Sequence, residues 1–359
     1  MQSHSKMLST YLCCSKQIKS TSKKINMDIS VKYMGITLKN PVIVGANNLV
    51  SNVESLKKME EAGASAIVYK SLFEEQLHME NLEYSNFIDE YVAQNSDETS
   101  PYPDIDVSGP KEYLFKLKKA KEVLNIPLFA SLNAVYDVSW VDYAKQIEAI
   151  GVDGIELNFY TVPKEMESAE IDFVNWQFDI VKKIKEAINI PVAIKLSSFY
   201  NNPLAVIKRM DDLGADAFVL FNRFFQPDID LEKEEMVFPY NLSTGGDYGL
   251  ALRFAGLLYN RIEADVCSST GIFTGNDVAK LIMAGADTVQ VVSVLYQDGI
   301  NTIATILEEL NQFMEKKGYK SLDDFRGKLS QSRITDPFAY SRAQYLDFLM
   351  NSAYLKENV

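Results

Sequence analysis

Two lysines at the ends of apolar runs are the residues of this sequence with the clearest capacity for chemistry. Lys70 ends the run "AIVYK" and Lys195 ends the run "VAIK", and neither lysine has an acidic residue next to it. A buried ammonium without a partner loses its hydration at a large cost in free energy, so such a lysine is expected to meet an anion or a polarised group. The two lysines therefore predict a site that stabilises negative charge.

Amides and hydroxyls end the other apolar runs. The amides are Asn47, Asn133, Asn158 and Asn222, and Ser71 follows Lys70 directly; two hydroxyl-bearing turns later in the chain contribute Ser269, Thr270, Gly271 and Ser293. Neutral donors and acceptors around two cations suit a large planar heterocycle with carbonyl and imide edges. The turns suit a phosphate, to which the amino terminus of the following helix would add its dipole. Hydroxyls in such places also cap helices, and that interpretation stays open.

These side chains converge only if the runs that precede them are parallel strands. Four phrases, "EAGASAIVYK", "AIGVDGIELN", "DLGADAFVLFN" and "MAGADTVQVVS", end a helical pattern, turn on a glycine and enter an apolar run. The predicted strands are 42–46, 66–70, 127–132, 154–158, 191–196, 217–221, 264–268 and 288–292, and the predicted helices are 52–62, 110–124, 139–150, 171–188, 203–213, 248–260, 276–284 and 300–316. Eight such units predict an α/β fold, a (β/α)8 TIM barrel with its site at the carboxyl ends of the strands. An open doubly wound sheet, which more often has fewer strands, is the alternative.

The remaining segments are expected to surround this single barrel domain, which we place at 27–329. A hairpin is predicted around Gly35, a disordered basic tail over 1–26 and a C-terminal helical tail over 330–359. The connections 71–108 and 223–247 are too long for simple strand-to-helix loops. Because both follow the carboxyl end of a strand, we expect them to be lids over the site.

Composition excludes several classes of protein. A formal net charge of -13 disfavours a broad nucleic-acid surface, which leaves a small-molecule substrate or another protein as the expected partner. Two histidines and three cysteines do not suggest a metal site or a disulfide framework. No window approaches the length of a membrane span, so no membrane partner is expected. A reducing, cytoplasmic location fits this cysteine usage best.

The order of the motifs resembles the class 1 dihydroorotate dehydrogenase family. The resemblance runs from about residue 28 to 329 and is carried by "LKNPVIVGANN", "VYKS", "SLNA", "GIELN", "AIKLS", "TGIFTGNDVAKLIMAGADTVQV", "LYQDG" and "KKGYKSLDDFRGKL". It implies an FMN-dependent barrel enzyme in which Lys195 stabilises negative charge on reduced FMN and Lys70 contacts flavin and substrate. The implied cofactor-binding set is Ala46, Asn47, Lys70, Ser71, Asn133, Asn158, Lys195, Asn222, Ser269, Thr270, Gly271, Val292 and Ser293.

The sequence departs from the family's pattern at the catalytic base. The family has a cysteine or serine three residues after the fourth strand's asparagine, and this chain has Thr161 there, so Thr161 and Lys70 are the candidate catalytic residues. An acidic segment, "NLEYSNFIDEYVAQNSDETSPYPDIDV", replaces the family's asparagine-rich substrate loop, and it would repel an anionic substrate. Ser268 and Thr270 stand in place of two glycines in the phosphate turn.

Three functional hypotheses follow. The first is an FMN-dependent oxidoreductase that oxidises dihydroorotate or a related CH–CH substrate, in pyrimidine biosynthesis where the substrate is dihydroorotate. The second is a catalytically quiet flavin-binding subunit that works with another redox protein, motivated by Thr161 and the acidic lid. The third is a phosphate-binding lyase in which Lys70 or Lys195 forms a Schiff base. A homodimer or a complex with a redox partner is expected from the resemblance.

Overall fold

The computed structural model describes residues 27–73, 110–133, 137–160, 170–239, 242–336, 339–340, 345 and 350. The predictions for Thr161, for the basic tail over 1–26, for most of the first lid and for most of the C-terminal tail concern residues outside these ranges. Among the described residues, no helix is both long enough and apolar enough to cross a bilayer. No cluster of three or more histidine, cysteine, aspartate or glutamate side chains is arranged there to hold a metal ion.

Eight parallel strands close into a barrel, which confirms the predicted fold. In chain order the strands of the protein are β1 (Val31–Tyr33), β2 (Ile36–Leu38), β3 (Val42–Val44), β4 (Ala66–Phe73), β5 (Leu128–Asn133), β6 (Gly154–Asn158), β7 (Val192–Leu196), β8 (Ala217–Leu220), β9 (Asp228–Asp230), β10 (Glu235–Val237), β11 (Asp265–Ser269) and β12 (Thr288–Val291). The barrel order is β3-β4-β5-β6-β7-β8-β11-β12, and β12 pairs with β3 through Val289 and Val42 to close it. Because the eight strands are parallel, their carboxyl ends form one mouth.

Helices cover the outside of the barrel. They are α1 (Val53–Glu61), α2 (Pro110–Val123), α3 (Asp137–Ile150), α4 (Glu170–Ala187), α5 (Pro203–Asp212), α6 (Gly249–Leu258), α7 (Gly275–Ala284), α8 (Ser293–Gln297) and α9 (Thr302–Lys317). Local sequence sets their ends: Asn52 caps α1 through its side chain, and Asn202 caps α5 directly before Pro203. Gly285 closes α7 at a φ of 138°, a backbone conformation that glycine adopts without steric cost.

A small antiparallel hairpin closes the lower end of the barrel. β1 pairs with β2, as predicted around Gly35, and the hairpin buries Tyr33 and Met34. The backbone N–H of Met34 donates to the Asp265 carboxylate at 2.7 Å, which fixes the hairpin to the start of β11. The Met34 side chain packs so closely on Gly154 that a Cβ there would lie 2.7 Å from the Met34 methyl carbon. The lower end is therefore filled by side chains.

The structure differs from the predicted elements in three places. β4 continues to Phe73, three residues past its predicted end, because a register shift between Tyr69 and Leu72 lets it keep pairing with β5. The five-residue helix α8 is too short to produce a helical pattern in the sequence, and it was not predicted. The second lid contains the exposed antiparallel hairpin β9–β10.

Candidate active site

The carboxyl ends of the strands surround a cavity of ≈ 350 Å³, which lies within the size range of small-molecule and cofactor sites. Twelve of the residues proposed to bind the cofactor line it: Ala46, Asn47, Lys70, Ser71, Asn158, Lys195, Asn222, Ser269, Thr270, Gly271, Val292 and Ser293. Asn133 does not line the cavity. Its side-chain amide donates to the backbone oxygens of Asn158 at 2.7 Å and Tyr160 at 3.2 Å, so it supports the end of β6 from behind.

A β-bulge sets the position of Lys70. In the register of β4 with β5, Tyr69 pairs with Ala130 and Leu72 with Leu132, so Lys70 and Ser71 together face Ser131 alone. The hydroxyls of Ser71 and Ser131 are 2.6 Å apart and hydrogen-bonded. The bulge redirects the strand at the residue that lines the cavity, which is a recurrent use of bulges next to functional sites.

A tyrosine from α2 holds the bulge in place. The hydroxyl of Tyr113 donates to the backbone oxygen of Lys70 at 2.9 Å and lies 3.3 Å from that of Ser131. Burial raises the pKa of Tyr113, so this hydroxyl stays protonated and remains a donor. Sequence reasoning missed Tyr113, because its contact with Lys70 spans 43 residues.

Lys195 has a buried acidic partner, and the expectation that it lacks one is wrong. Its ammonium nitrogen lies 3.6 Å from Oε1 of Glu156, and the two side chains are 10% and 2% exposed. Gln290 bridges the pair: its oxygen accepts from Lys195 at 3.2 Å, and its nitrogen donates to Oε2 of Glu156 at 2.6 Å. The acid was missed because it comes from β6, a neighbouring strand. Alternation along β6 could have found it, since Glu156 precedes Asn158 by two residues and points to the same face.

Two asparagines meet beside Lys195. The side-chain nitrogen of Asn222 donates to Oδ1 of Asn158, and the backbone N–H of Asn222 donates to the oxygen of Leu196 at 2.8 Å. Both amides line the cavity. The mouth therefore presents neutral hydrogen-bonding groups beside a cation, as expected.

The two turns predicted to hold a phosphate are joined by Ser243, a serine that sequence reasoning missed. The hydroxyl of Ser243, in the second lid, accepts from the backbone N–H of Gly271 at 3.1 Å and donates to the hydroxyl of Ser293 at 2.7 Å. Gly271 has a φ of 72°, and a Cβ there would lie 2.7 Å from the backbone nitrogen of Asp247. Glycine is required at this position both by its conformation and by the close approach of the lid.

The helix after β11 does not offer a free amino terminus, whereas α8, the helix after β12, has no side-chain cap at its start. The Thr274 hydroxyl and the Asp277 carboxylate form a capping box at the start of α7. The backbone N–H of Gly275 donates to Glu309 at 2.7 Å. Two carboxylates already satisfy these donors. The hydroxyl of Thr270 is also engaged, because it donates to the Phe221 oxygen at 3.0 Å.

Aromatic side chains form one wall of the mouth. The rings of Tyr160 and Phe224 meet edge to face at 4.7 Å, and Phe199 stacks on Phe224 at 5.2 Å. The Tyr160 hydroxyl accepts from the backbone N–H of Phe225 at 3.2 Å, which ties the end of β6 to the second lid. Tyr160 and Phe225 line the cavity, so one side of it suits a flat apolar surface.

Two further groups complete the electrostatics of the mouth. A hydrogen bond from the backbone of Thr244, with the Arg223 guanidinium nearby, lowers the pKa of Asp247, so this lid carboxylate stays ionised and paired. Below the cavity, burial raises the pKa of the Cys267 thiol to about 12, so the thiol is neutral. The arrangement combines cationic and neutral donors in one cavity, and it can bind a planar group on which negative charge develops.

Comparison with known proteins identifies the same type of enzyme repeatedly. The family model described as dihydroorotate dehydrogenase matches residues 103–314. The catalytic subunit of dihydroorotate dehydrogenase B (NAD(+)) from Thermoplasma acidophilum is 26% identical over 309 residues, which cover 84% of this chain and 98% of that protein. The corresponding subunit from Methanocaldococcus jannaschii is 26% identical over 300 residues, covering 80% and 94%. Dihydroorotate dehydrogenase A (fumarate) from Lactobacillus helveticus is 25% identical over 308 residues, covering 83% and 97%.

Proposed function

The chain belongs to the dihydroorotate dehydrogenase family and is an oxidoreductase of that type, and from this premise we propose that it binds FMN at the mouth of the barrel. The observation that carries the proposal is Lys195, whose ammonium reaches the cavity wall beside the amides of Asn158 and Asn222. A fixed cation in a site of low exposure stabilises negative charge more strongly than it would in water.

The residues around the cavity fit a flavin. Lys70, Lys195, Asn47, Asn158 and Asn222 would meet the polar edge of the ring system, and Ala46 and Val292 would pack against it. Ser243, Gly271 and Ser293 form a hydrogen-bonded cluster of small residues that also lines the cavity, and we assign the phosphate end to it. The absence of a side chain at Gly45 supports the fit. A Cβ there would lie 2.9 Å from a Val292 methyl group and would leave less room for the cofactor.

Bound FMN would supply the acceptor for two electrons and a proton from a CH–CH bond of the substrate. Lys195 would hold positive charge next to the polar edge, and Lys70 would orient cofactor and substrate together. The proposed substrate is dihydroorotate or a related dihydro compound, and Thr161 remains the proposed site of proton removal. A missing general base typically costs about 10²- to 10⁴-fold in rate, so slow turnover is expected if threonine replaces it.

The visible absorption spectrum of the purified chain tests this function. We expect a yellow protein, or one that becomes yellow on incubation with FMN, whose flavin is bleached anaerobically by dihydroorotate or another dihydropyrimidine. A chain that stays colourless after incubation with FMN contradicts the proposal. A flavin that binds but is reduced by none of these compounds contradicts the proposed substrate class and leaves cofactor binding intact.

A quiet flavin subunit with a redox partner remains the second candidate. Two of the relatives are named as catalytic subunits of an NAD(+)-type enzyme, so assembly with another chain is a property of those proteins. Reduction of the bound flavin by a partner protein, without any dihydropyrimidine, would support this candidate. A homodimer in the reducing cytoplasm is the corresponding proposal for the active enzyme. The Schiff-base lyase has less support, because none of the relatives named above is a lyase.

A further inference from the structure

We propose that Glu156, acting through Lys195, sets the reduction potential of the bound flavin, and that Gln290 is the positioning residue that holds the two charges apart. The inference rests on the proposed FMN site and adds to it Gln290, from the cavity wall, and Glu156, from behind that wall. Glu156 is 2% exposed and belongs to β6, two residues before Asn158. It does not line the cavity, so any effect on the cofactor passes through its neighbours.

The carboxylate acts on Lys195 by charge and not by a direct hydrogen bond. Oε1 of Glu156 is buried and has no hydrogen-bond partner among the described residues, although it lies 3.6 Å from the Lys195 nitrogen. In a site of low exposure an interaction at this distance is strong. Glu156 therefore offsets part of the positive charge that Lys195 presents to the cavity.

Gln290 keeps the pair in this arrangement, because its amide can be oriented in only one favourable way. Its oxygen faces the Lys195 ammonium at 3.2 Å and its nitrogen faces Oε2 of Glu156 at 2.6 Å. The reversed amide would set N–H against N–H and oxygen against oxygen. The backbone of Gly45 lies close to this amide and limits its movement. A Cβ at that position would lie 3.0 Å from the Gln290 oxygen.

No other charge among the described residues competes for Glu156. Within that part of the chain, Lys195 is its ion-pair partner. The thiol of Cys267, which lies close enough to interact with both Glu156 and Lys195, is neutral because burial raises its pKa to about 12. A cofactor in the cavity would therefore experience the positive charge of Lys195, partly offset by the negative charge of Glu156.

Reduction adds negative charge to the flavin, so the balance between Lys195 and Glu156 affects the reduced form more than the oxidised form. Glu156→Gln keeps the size of the side chain and removes its charge. We expect reduced FMN to gain at least tenfold in affinity relative to oxidised FMN, which for a two-electron couple is a rise of about 30 mV in potential. Titration with dithionite against a reference dye, together with the dissociation constants of both forms, measures this shift.

Two further variants distinguish an effect of charge on the flavin from an effect of altered packing. Asp265→Asn removes the same charge at the opposite end of the barrel, at the start of β11, and is expected to shift the affinity ratio less than twofold. Gln290→Leu removes the bridge and keeps both charges, so we expect Lys195 and Glu156 to approach each other and the affinity ratio to shift severalfold in the opposite direction, toward oxidised FMN. If Glu156→Gln does not fold, Glu156→Asp, which withdraws the carboxylate by one methylene, is expected to shift the ratio in the same direction by less.

The outcomes are distinguishable. If Glu156→Gln binds FMN but shifts the ratio no more than Asp265→Asn does, the inference is overturned while the proposed function stands. A shift in Gln290→Leu of the same direction and size as in Glu156→Gln overturns the argument from charge. A wild-type chain that binds no FMN overturns the proposed function and this inference with it.

Discussion

The hydroxyl of Tyr113 donates a hydrogen bond of 2.9 Å to the backbone oxygen of Lys70, so a side chain of α2 fixes the bulge that aims Lys70 into the cavity. The residue that would touch cofactor and substrate thus depends on a helix on the outer face of the barrel. The active-site geometry and the packing of α2 against β4 are coupled through one hydroxyl.

Tyr113→Phe tests this coupling. The change leaves a buried backbone oxygen without its donor, which costs about 1–2 kcal/mol in the free energy of unfolding. We expect the affinity for FMN to fall severalfold as well, because the bulge loses its support. Urea unfolding and flavin titration measure the two effects. Tyr69→Phe is the matched control, since Tyr69 packs edge to face on Tyr113 at 5.8 Å and the described residues provide no hydrogen-bond partner for its hydroxyl. Equal effects of the two changes would contradict the role given to Tyr113.

Removing Lys195 is expected to harm the fold as well as the site. Lys195→Met leaves the carboxylate of Glu156 buried and unpaired, which typically costs about 3–5 kcal/mol. The double variant Lys195→Met with Glu156→Gln removes both charges and should recover most of that loss. Urea unfolding of the three proteins is the measurement. Lys121→Met breaks the more exposed pair with Asp153 and is expected to cost about 1 kcal/mol or less. A double variant as unstable as Lys195→Met would show that the two charges do not stabilise one another.

The start of β11 is expected to make stability depend on pH. Burial, followed by the charge of Asp287, raises the pKa of Asp265 from 3.8 to about 6. A carboxyl group with a raised pKa in the folded state favours the folded state less as it ionises, so its contribution falls as pH rises from about 4 to 6 and is constant above. The carboxyl group is partly exposed, which reduces the effect to roughly 1–2 kcal/mol. The free energy of unfolding, measured from pH 4 to 8, should therefore fall with pH in the wild type relative to Asp265→Asn. Parallel curves for the two proteins would refute the assignment.

Gly45→Ala is expected to distort the wall of the proposed cofactor site. The added Cβ would lie 2.9 Å from Val292 and 3.0 Å from the Gln290 oxygen, which is held on both sides and cannot easily move. Overpacking of this kind costs about 1–3 kcal/mol. We expect lower stability and at least a tenfold loss of FMN affinity, measured by thermal unfolding and fluorescence titration. At Gly249, at the start of α6, an added Cβ meets nothing within 4 Å, so Gly249→Ala is expected to leave both properties unchanged or slightly improved.

Ser243→Ala tests the bridge between the two phosphate turns. Its hydroxyl joins Gly271 to Ser293, so we expect the affinity for FMN to fall about tenfold, equivalent to one or two hydrogen bonds. Ser65→Ala is the control, because the Ser65 hydroxyl is also buried and donates to the Val42 oxygen at 2.7 Å, at the other end of the barrel. The control should lose stability but keep its affinity for FMN. If Ser243→Ala binds FMN as tightly as the wild type, Ser243 is not part of the proposed site.

The barrel could be predicted from the sequence because seven of its eight strands, all but β11, are short apolar runs that follow a turn with glycine or proline and precede a polar residue. Strand boundaries agree within two residues except in β4, where the bulge after Tyr69 extends the pairing. A bulge depends on the partner strand, and the sequence of β4 alone carries no clear sign of it. The helix α8 was not predicted for a different reason, since five residues are too few to show a period of 3.6.

The site residues at the carboxyl ends of the strands could be predicted from the sequence, and the residues that support them from neighbouring strands and loops could not. Once eight parallel strands are recognised, topology alone brings Lys70, Lys195 and Asn222 to one mouth. Glu156 and Ser243 were missed because their roles depend on contacts across the fold: Glu156 reaches Gln290 across 134 residues, and Ser243 reaches Ser293 across 50. Alternation along β6 places Glu156 on the same face as Asn158, but its partner follows from the closure of the barrel, and the partner of Ser243 follows from the path of the lid.

Met34, wedged against Gly154 at the lower end of the barrel, has a kinetic consequence. With that end filled by side chains, electron donor and electron acceptor would reach the proposed flavin through the same opening, unless electrons pass through the protein itself. The first product then has to leave before the second substrate enters. Double-reciprocal plots at several acceptor concentrations should give parallel lines, the signature of a substituted-enzyme sequence.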